Sequence, residues 1–309
     1  KHFKLDNNMP FFSVVVPTYN AGNKLKATIN SVLNQTCKDF EILVMDDGST
    51  DETKKVIESF ADSRIIYDWK PNSGGPATPR NRGIEVSSAP WISFLDADDL
   101  WHPRKLELVK EVISEKGKYK LEVICHNELL NLNGKKDKKI LEYGPYTKDF
   151  YYNLLTRGNC LSTSAVTVRK DFLTSNNIQF NQQKDHVIIE DYDLWLYLAH
   201  KKAVFYFINE VLGEYVIEGH NISHDTKRSR HNNEAVLKNH VFNVQTFESN
   251  KEKLWSYINT RLLLEDILKD FGFKFFLRNI NKVSNLFLYH PFITTKIILV
   301  KLISRIQSI

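Results

Sequence analysis

Four groups of polar residues stand directly after apolar runs in the first hundred residues, and their side-chain types suit one kind of ligand. Pro17-Thr18-Tyr19-Asn20 follows FFSVVV, and Asp46-Asp47-Gly48-Ser49 follows FEILVM. Gly74-Gly75-Pro76 and then Arg80-Asn81 come after RIIYDW, and Asp96-Ala97-Asp98-Asp99 follows WISFL. The set holds an aromatic ring, several carboxylates and an arginine, which a nucleoside diphosphate can use. Tyr19 can pack on a flat base, and Asp47 can accept a hydrogen bond from a base N–H. Asp96 or Asp98 can hold a divalent cation, because hard cations prefer oxygen ligands, and such a cation neutralises charge on a departing diphosphate. Arg80 can offer a fork of donors to phosphate oxygens. Each group has a plainer reading by itself. Asp46-Asp47-Gly48 is more often a helix-capping turn, acidic residues ahead of Pro103 can complement a helix dipole, and a tyrosine is more often packing. Their joint occurrence at successive strand ends favours the ligand.

The elements that must position these residues follow from periodicity. Phe11 to Val16, Phe40 to Met45, Arg64 to Trp69 and Trp91 to Leu95 read as buried strands. Between them, Lys24 to Gln35 has an amphipathic helical pattern, Ser49-Thr50-Asp51-Glu52 matches a capping box opening a helix to about Phe60, and Thr78 to Val86 reads as a helix. This order predicts an α/β fold with a mostly parallel, Rossmann-like sheet flanked by helices, whose ligands bind outside the carboxyl ends of the strands. Farther on, strands are expected at Leu121 to His126, at Ser162 to Val168, and once or twice within residues 203–217. A turn is expected at 131–136, a helix over Ile189 to His200, and helix from about residue 231 onward.

The segments VVVPTYN, FEILVMDDGSTDET, GGPATPRNRGI and WISFLDADDLW, in this order and spacing, resemble glycosyltransferase family 2, whose fold is of the GT-A type. The resemblance spans roughly residues 11–225. It implies that Pro17, Thr18, Tyr19 and Asn20 line a nucleotide pocket, that Asp47 contacts the base, usually uracil, and that Arg80 lies near the phosphates. It implies that Asp96-Ala97-Asp98 contacts the ribose and a divalent metal, Mn²⁺ or Mg²⁺, with Asp98 the more direct ligand. Glu190-Asp191-Tyr192-Asp193-Leu194-Trp195-Leu196 is similar to the family's ED motif at a helix start, which makes Asp191 the catalytic base. A family member of this kind is an inverting transferase that moves a sugar from a nucleotide sugar, usually UDP-linked, to a glycan or lipid-linked saccharide acceptor in bacterial surface polysaccharide assembly. One departure stands out. Relatives often carry Tyr-Arg-x-His after the ED helix, whereas this chain has Tyr215-Val216-Ile217-Glu218, leaving His220 or His224 as substitutes.

Composition narrows the partners. The 309-residue chain is 42% hydrophobic and 26% charged, which suits a globular protein with a sizeable core. Its net charge of +5 is modest but uneven, because residues 271–309 carry six basic and no acidic residues. With only a short uninterrupted apolar run, Ile297 to Val300, that tail reads as a segment lying on an anionic membrane surface, not one crossing it. The expected layout is a catalytic domain at 9–225 and a helical C-terminal extension at 226–309. Met9 is a candidate start, and residues 1–8 show no signal-peptide core. Cys37, Cys125 and Cys160 show no CxxC spacing, so reduced thiols and a cytoplasmic location are expected. No nucleic-acid partner is expected. A dinucleotide oxidoreductase needs a glycine fingerprint after the first strand, where only Gly22 stands. A nucleotidyltransferase and a non-catalytic binding module of the same fold are the alternatives. The Gln-x-x-Arg-Trp motif of processive synthases is missing from the sequence, so a single-addition enzyme is expected.

Overall fold

A computed structural model describes residues 9–116, 120–132, 135–217 and 226–269. It divides into two units, one of Lys1–Phe150 with Asn159–Asn232 and the other of Tyr151–Gly158 with Asn233–Ile309.

The first unit begins with a repeated strand–helix pattern. β1 (Phe12–Thr18), β2 (Phe40–Asp46), β3 (Ile65–Trp69) and β4 (Trp91–Phe94) alternate with α1 (Gly22–Leu33), α2 (Thr53–Glu58) and α3 (Ala77–Val86). All four strands are parallel, in the order β3-β2-β1-β4. Every residue of β1 is buried, as expected of a strand covered on both faces. Val14 and Val16 join Leu25, Ile29 and Val32 of α1 in the hydrophobic core. On the other face α3 comes so close to β1 that a Cβ on Gly83 would lie 2.8 Å from Val15 Cγ2, a separation only glycine permits.

The rest of the sheet mixes directions. β5 (Leu100–Trp101), β6 (Leu121–Leu132), β7 (Lys135–Leu141), β8 (Val166–Arg169) and β9 (Val204–Ile217) extend the order to β3-β2-β1-β4-β8-β6-β9-β5, with β7 paired to β6. β8 is antiparallel to both β4 and β6, β5 is antiparallel to β9, and β6 runs parallel to β9. The sheet is therefore parallel through β4 and mixed beyond it. α4 (Lys105–Lys116), α5 (Phe150–Arg157), α6 (Lys170–Ser175) and α7 (Glu190–His200) complete the helices up to β9.

Three local expectations change. Ser162 to Val168 is not one strand, because a 3₁₀ turn, Thr163–Ala165, precedes β8. The stretch from Leu121 is a 12-residue strand that pairs with β7 as a hairpin, carrying the strand past His126. No side chain caps α2 in the capping-box sense. Ser49 Oγ instead accepts from Asn20 N at 2.8 Å, Asn20 Oδ1 accepts from Thr50 N at 2.9 Å, and Asp51 Oδ2 accepts from Gly22 N at 3.1 Å. These bonds staple the loop after β1 to the loop after β2.

The second unit takes α5 from Tyr151 on and α8 (Thr226–Asn239) from Asn233 on, followed by a π-helical turn at His240–Val244 and then α9 (Lys251–Lys269). Within it the Tyr151 hydroxyl hydrogen-bonds His240 Nδ1 at 2.9 Å. The basic tail at 271–309 lies outside the described residues, as do His220 and His224. Among the described residues no helix is long and apolar enough to cross a membrane.

Candidate active site

The carboxyl ends of β1 and β2 bring the first two groups side by side. Asp46 is buried and structural, accepting from the Tyr67 hydroxyl at 2.6 Å and from Ser49 N at 2.7 Å. The turn that follows needs Gly48, at φ 87, because a Cβ there would stand 2.5 Å from Asn72 N. Asp47 is only 4% exposed, and its carboxylate accepts from Ser73 N at 3.0 Å and Ser73 Oγ at 2.8 Å, while Asn72 Nδ2 donates to its carbonyl at 2.9 Å. The loop after β3 is thereby fastened over the end of β2. Of the residues 17–20, Pro17 and Thr18 are buried, and the Thr18 hydroxyl turns back on Val16 O. Asn20 serves the loop staple, and Tyr19, 53% exposed, presents a bare ring. Trp69, equally exposed at the end of β3, is a second ring on this rim that the sequence reading passed over.

Arg80 lies deeper than expected. It is 3% exposed, with Nη2 2.6 Å from Asp96 Oδ1 and Nη1 2.6 Å from Glu190 Oε1. Its guanidinium carbon sits 5.2 Å from the centre of the Phe180 ring. The expected fork toward phosphate is instead a buried clamp between the end of β4 and the start of α7. The two carboxylates hold the guanidinium firmly charged despite its burial.

In the fourth group, Asp96 to Asp99, each acidic residue has its own role. Asp98 is part-exposed, with Lys24 Nζ of α1 at 3.7 Å from its Oδ2. The Ala97 carbonyl accepts from the Thr28 hydroxyl at 2.9 Å, which ties the turn to α1. Asp99 is buried and structural, accepting from Ser164 Oγ at 2.6 Å and Val216 N at 2.8 Å. Burial and the nearby Glu128 push its carboxyl well above the usual carboxylate range.

Glu190 and Asp191 head α7, whose N-cap Ile189 follows Ile188, a residue held at φ 84, a strained conformation for a β-branched residue. Asp191 Oδ1 accepts from Tyr192 N at 2.6 Å, and Oδ2 accepts from the Thr163 hydroxyl at 3.2 Å. Burial, then the neighbouring Glu190, raise its carboxyl to about 7, against the opposing pull of Arg80. A carboxylate with that value is matched to general-base work near neutral pH.

The donor set suits a hard divalent cation only in part. Among the described residues no three His, Cys, Asp or Glu side chains gather into a cage. The all-oxygen pair Asp96 and Asp98 fits a cation that draws its other ligands from substrate phosphates and water, as Mg²⁺ and its relatives do. The sequence reading placed Glu190 in the motif without a role, and offered no role for Ser73, Thr163, Ser164 or Lys24. Only Glu190 carried a signal, its place beside Asp191.

Residues 13–173 match the sequence profile described as Glycosyl transferase family 2. The chain is 35% identical over 185 residues to the Escherichia coli UDP-Glc:alpha-D-GlcNAc-diphosphoundecaprenol beta-1,3-glucosyltransferase WfgD, covering 60% of this chain and 68% of that one. It is 48% identical over 99 residues to the Staphylococcus aureus poly(ribitol-phosphate) beta-N-acetylglucosaminyltransferase TarP, covering 31% of this chain and 30% of that one. Four of the curated relatives it matches, TarP included, are spanned over only 15% to 64% of their length. In fold it is similar to S. aureus TarS 1-349 in complex with UDP-GlcNAc, with a TM-score of 0.62 at 20% identity, covering 89% of this chain and 80% of that one.

Proposed function

The chain belongs to glycosyl transferase family 2, has the GT-A type of fold, and from that premise we propose that it transfers a sugar from a nucleotide sugar to an acceptor hydroxyl with inversion. UDP is the nucleotide we assign, since the similar TarS fold holds UDP-GlcNAc and the name of WfgD specifies UDP-Glc. A glycan or lipid-linked saccharide of a bacterial surface polysaccharide is the acceptor class we assign, because the names of TarP and WfgD specify a poly(ribitol-phosphate) and a diphosphoundecaprenol saccharide. A lipid-linked acceptor would agree with peripheral contact between the basic tail and an anionic membrane face.

One observation carries this reading. The buried Arg80 joins the end of β4, which carries Asp96, to Glu190, the residue before Asp191. The turn suited to a metal-bound diphosphate and the helix start suited to a base therefore belong to one site. Asp191 removes the proton from the acceptor hydroxyl as its oxygen attacks the anomeric carbon. The attack comes from the side opposite the nucleoside diphosphate, so a single displacement inverts the anomeric centre. Asp98, with Asp96, would hold the divalent cation, which when bound offsets the charge gathering on the diphosphate. Tyr19 offers its ring to the uracil, and Asp47 accepts from a base N–H beside Ser73. One base and one stabilised leaving group suffice here, unlike the paired carboxyl groups of most glycosidases.

The test is a panel of nucleotide sugars offered with Mn²⁺ or Mg²⁺, scored by calorimetric binding and by slow UDP release. A UDP-sugar should bind in a metal-dependent way and release UDP. Failure of every nucleotide sugar to bind, with or without metal, refutes the proposal.

A further inference from the structure

Two successive residues of the turn before β8 each give a hydroxyl to a carboxylate. Thr163 Oγ1 donates to Asp191 Oδ2 at 3.2 Å, and Ser164 Oγ donates to Asp99 Oδ2 at 2.6 Å. Ser164 Oγ also accepts from Asp96 N at 3.0 Å, and Ser164 O accepts from Trp101 Nε1 at 2.8 Å. Thr163 is 5% exposed and Ser164 1% exposed, so these hydroxyls are not solvated surface groups. The turn has a firm footing. The β8 residue Thr167 pairs with Ser93 of β4, and their hydroxyls lie 2.7 Å apart. β4 is the strand that delivers Asp96.

We propose that Thr163 and Ser164 are positioning residues that register the base Asp191 against the donor-side turn Asp96–Asp99. The inference rests on the transferase reading above and assigns that reaction two residues that neither the motifs nor the comparisons single out. Thr163 acts through Asp191. Tyr192 N holds Oδ1 and the Thr163 hydroxyl holds Oδ2, so the plane of the carboxylate is fixed. A base that must meet a proton in one geometry gains from such fixing, since small misplacements cost orders of magnitude in rate. Ser164 acts through the turn, fixing the Asp96 backbone and the Asp99 carboxylate with one oxygen. The two residues are adjacent in the chain, yet they bear on opposite partners of the reaction, so their loss should read out differently.

The test uses the full chain as wild type, Thr163→Val, Thr163→Ser and Ser164→Ala. It measures calorimetric binding of UDP with Mn²⁺, and kcat for UDP release from the nucleotide sugar that the wild type turns over. Thr163→Val should lower kcat by about tenfold or more, the loss expected for one hydrogen bond to a charged group, with UDP affinity within about twofold of wild type. Thr163→Ser, which keeps the hydroxyl, should restore most of kcat. Ser164→Ala should weaken UDP–Mn²⁺ binding by about fivefold or more and lower kcat at saturating donor by less. If Ser164→Ala does not fold, the Thr163 pair decides. Wild-type kcat in Thr163→Val, or Thr163→Ser no better than Thr163→Val, overturns the proposal. Equal losses of affinity and kcat in the valine and alanine variants also overturn it, since a merely structural turn would produce them. A wild-type chain that binds no UDP removes the transferase reading, and this inference with it.

Discussion

Replacing Arg80 with methionine tests the clamp that defines the site. Methionine preserves much of the arginine's bulk, so the main change is electrostatic. Arg80 is 3% exposed and makes two charge-assisted bonds of 2.6 Å, one to Asp96 and one to Glu190. Glu190 is itself buried, and its other oxygen, Oε2, already has no hydrogen-bond partner. Removing one member of a buried pair costs about 3–5 kcal/mol because the remaining charge stays desolvated. Urea unfolding at pH 7.5 should therefore show Arg80→Met less stable by about 3 kcal/mol or more, with an unchanged m-value. Adding Glu190→Gln should recover part of the loss, because the orphaned carboxylate is then gone. Arg80→Lys should fall between, since one ammonium cannot bridge two carboxylates as the guanidinium fork does. The clamp also opposes the rise in the Asp191 carboxyl, so its loss should push that group further above about 7. The acid limb of the pH profile for UDP release should then move to higher pH. An Arg80→Met variant that loses under about 1 kcal/mol, gains nothing from Glu190→Gln and keeps its acid limb in place would refute the clamp.

Three more outcomes follow from the same geometry. Asp191→Asn should abolish UDP release while leaving calorimetric UDP–Mn²⁺ binding close to wild type, and in the wild type the rate should rise with pH through about 7 as the carboxylate forms. Glu128 is buried, and burial raises its carboxyl from the usual 4.5 to about 7, against the Tyr143 and Ser162 hydroxyls. Between those values the folded chain keeps a proton that the unfolded chain releases, so its contribution to stability falls as pH rises through that window. The loss amounts to about 3 kcal/mol by pH 8, and Glu128→Gln should flatten the slope of urea-unfolding stability between pH 5 and 8. Gly83→Ala should destabilise by about 1–2 kcal/mol, visible as a lower Tm, because overpacking against the fully buried Val15 outweighs alanine's gain in helix propensity.

The first four strands were legible because their signals are local. An apolar run buried on both faces declares itself in five to seven residues, and the polar group that follows it must sit at the strand's end. Beyond β4 that advantage fades. Ser162 to Val168 is built from small and β-branched residues as a strand would be, yet Thr163 and Ser164 leave the strand because their hydroxyls are claimed by Asp191 and Asp99, 28 and 65 residues away in sequence. Only long-range partners show this. The reversal of β8 is likewise tertiary, since it is fixed by its register against β4 and β6 and not by its own four residues. Four consecutive residues from Asp96 to Asp99 gave no hint of which would be buried. Val216 N and Ser164 Oγ select Asp99 for burial, while Asp96 and Asp98 meet the cations Arg80 and Lys24.

Arg80 shows most clearly why chemistry read from residue types alone stops short. An arginine among aspartates at a nucleotide site suggests phosphate, because carboxylate and phosphate accept the same planar fork. Burial decides between them, and here it favours the carboxylates. The rim as a whole has the same logic. Asp47, Asp96, Asp98, Glu190 and Asp191 converge at the ends of parallel strands and the head of α7, where their mutual repulsion would oppose folding. The fold answers each with its own donor: Ser73 for Asp47, Arg80 for Asp96 and Glu190, Lys24 for Asp98, and Thr163 with Tyr192 N for Asp191. Only two of those four side-chain donors carry positive charge, so the rim stays electronegative. A diphosphate approaching it alone is repelled, whereas the same diphosphate carrying a divalent cation is drawn in. The metal dependence proposed for this chain would thus rest less on a ready-made cage than on the excess of carboxylates that the fold holds in place without neutralising.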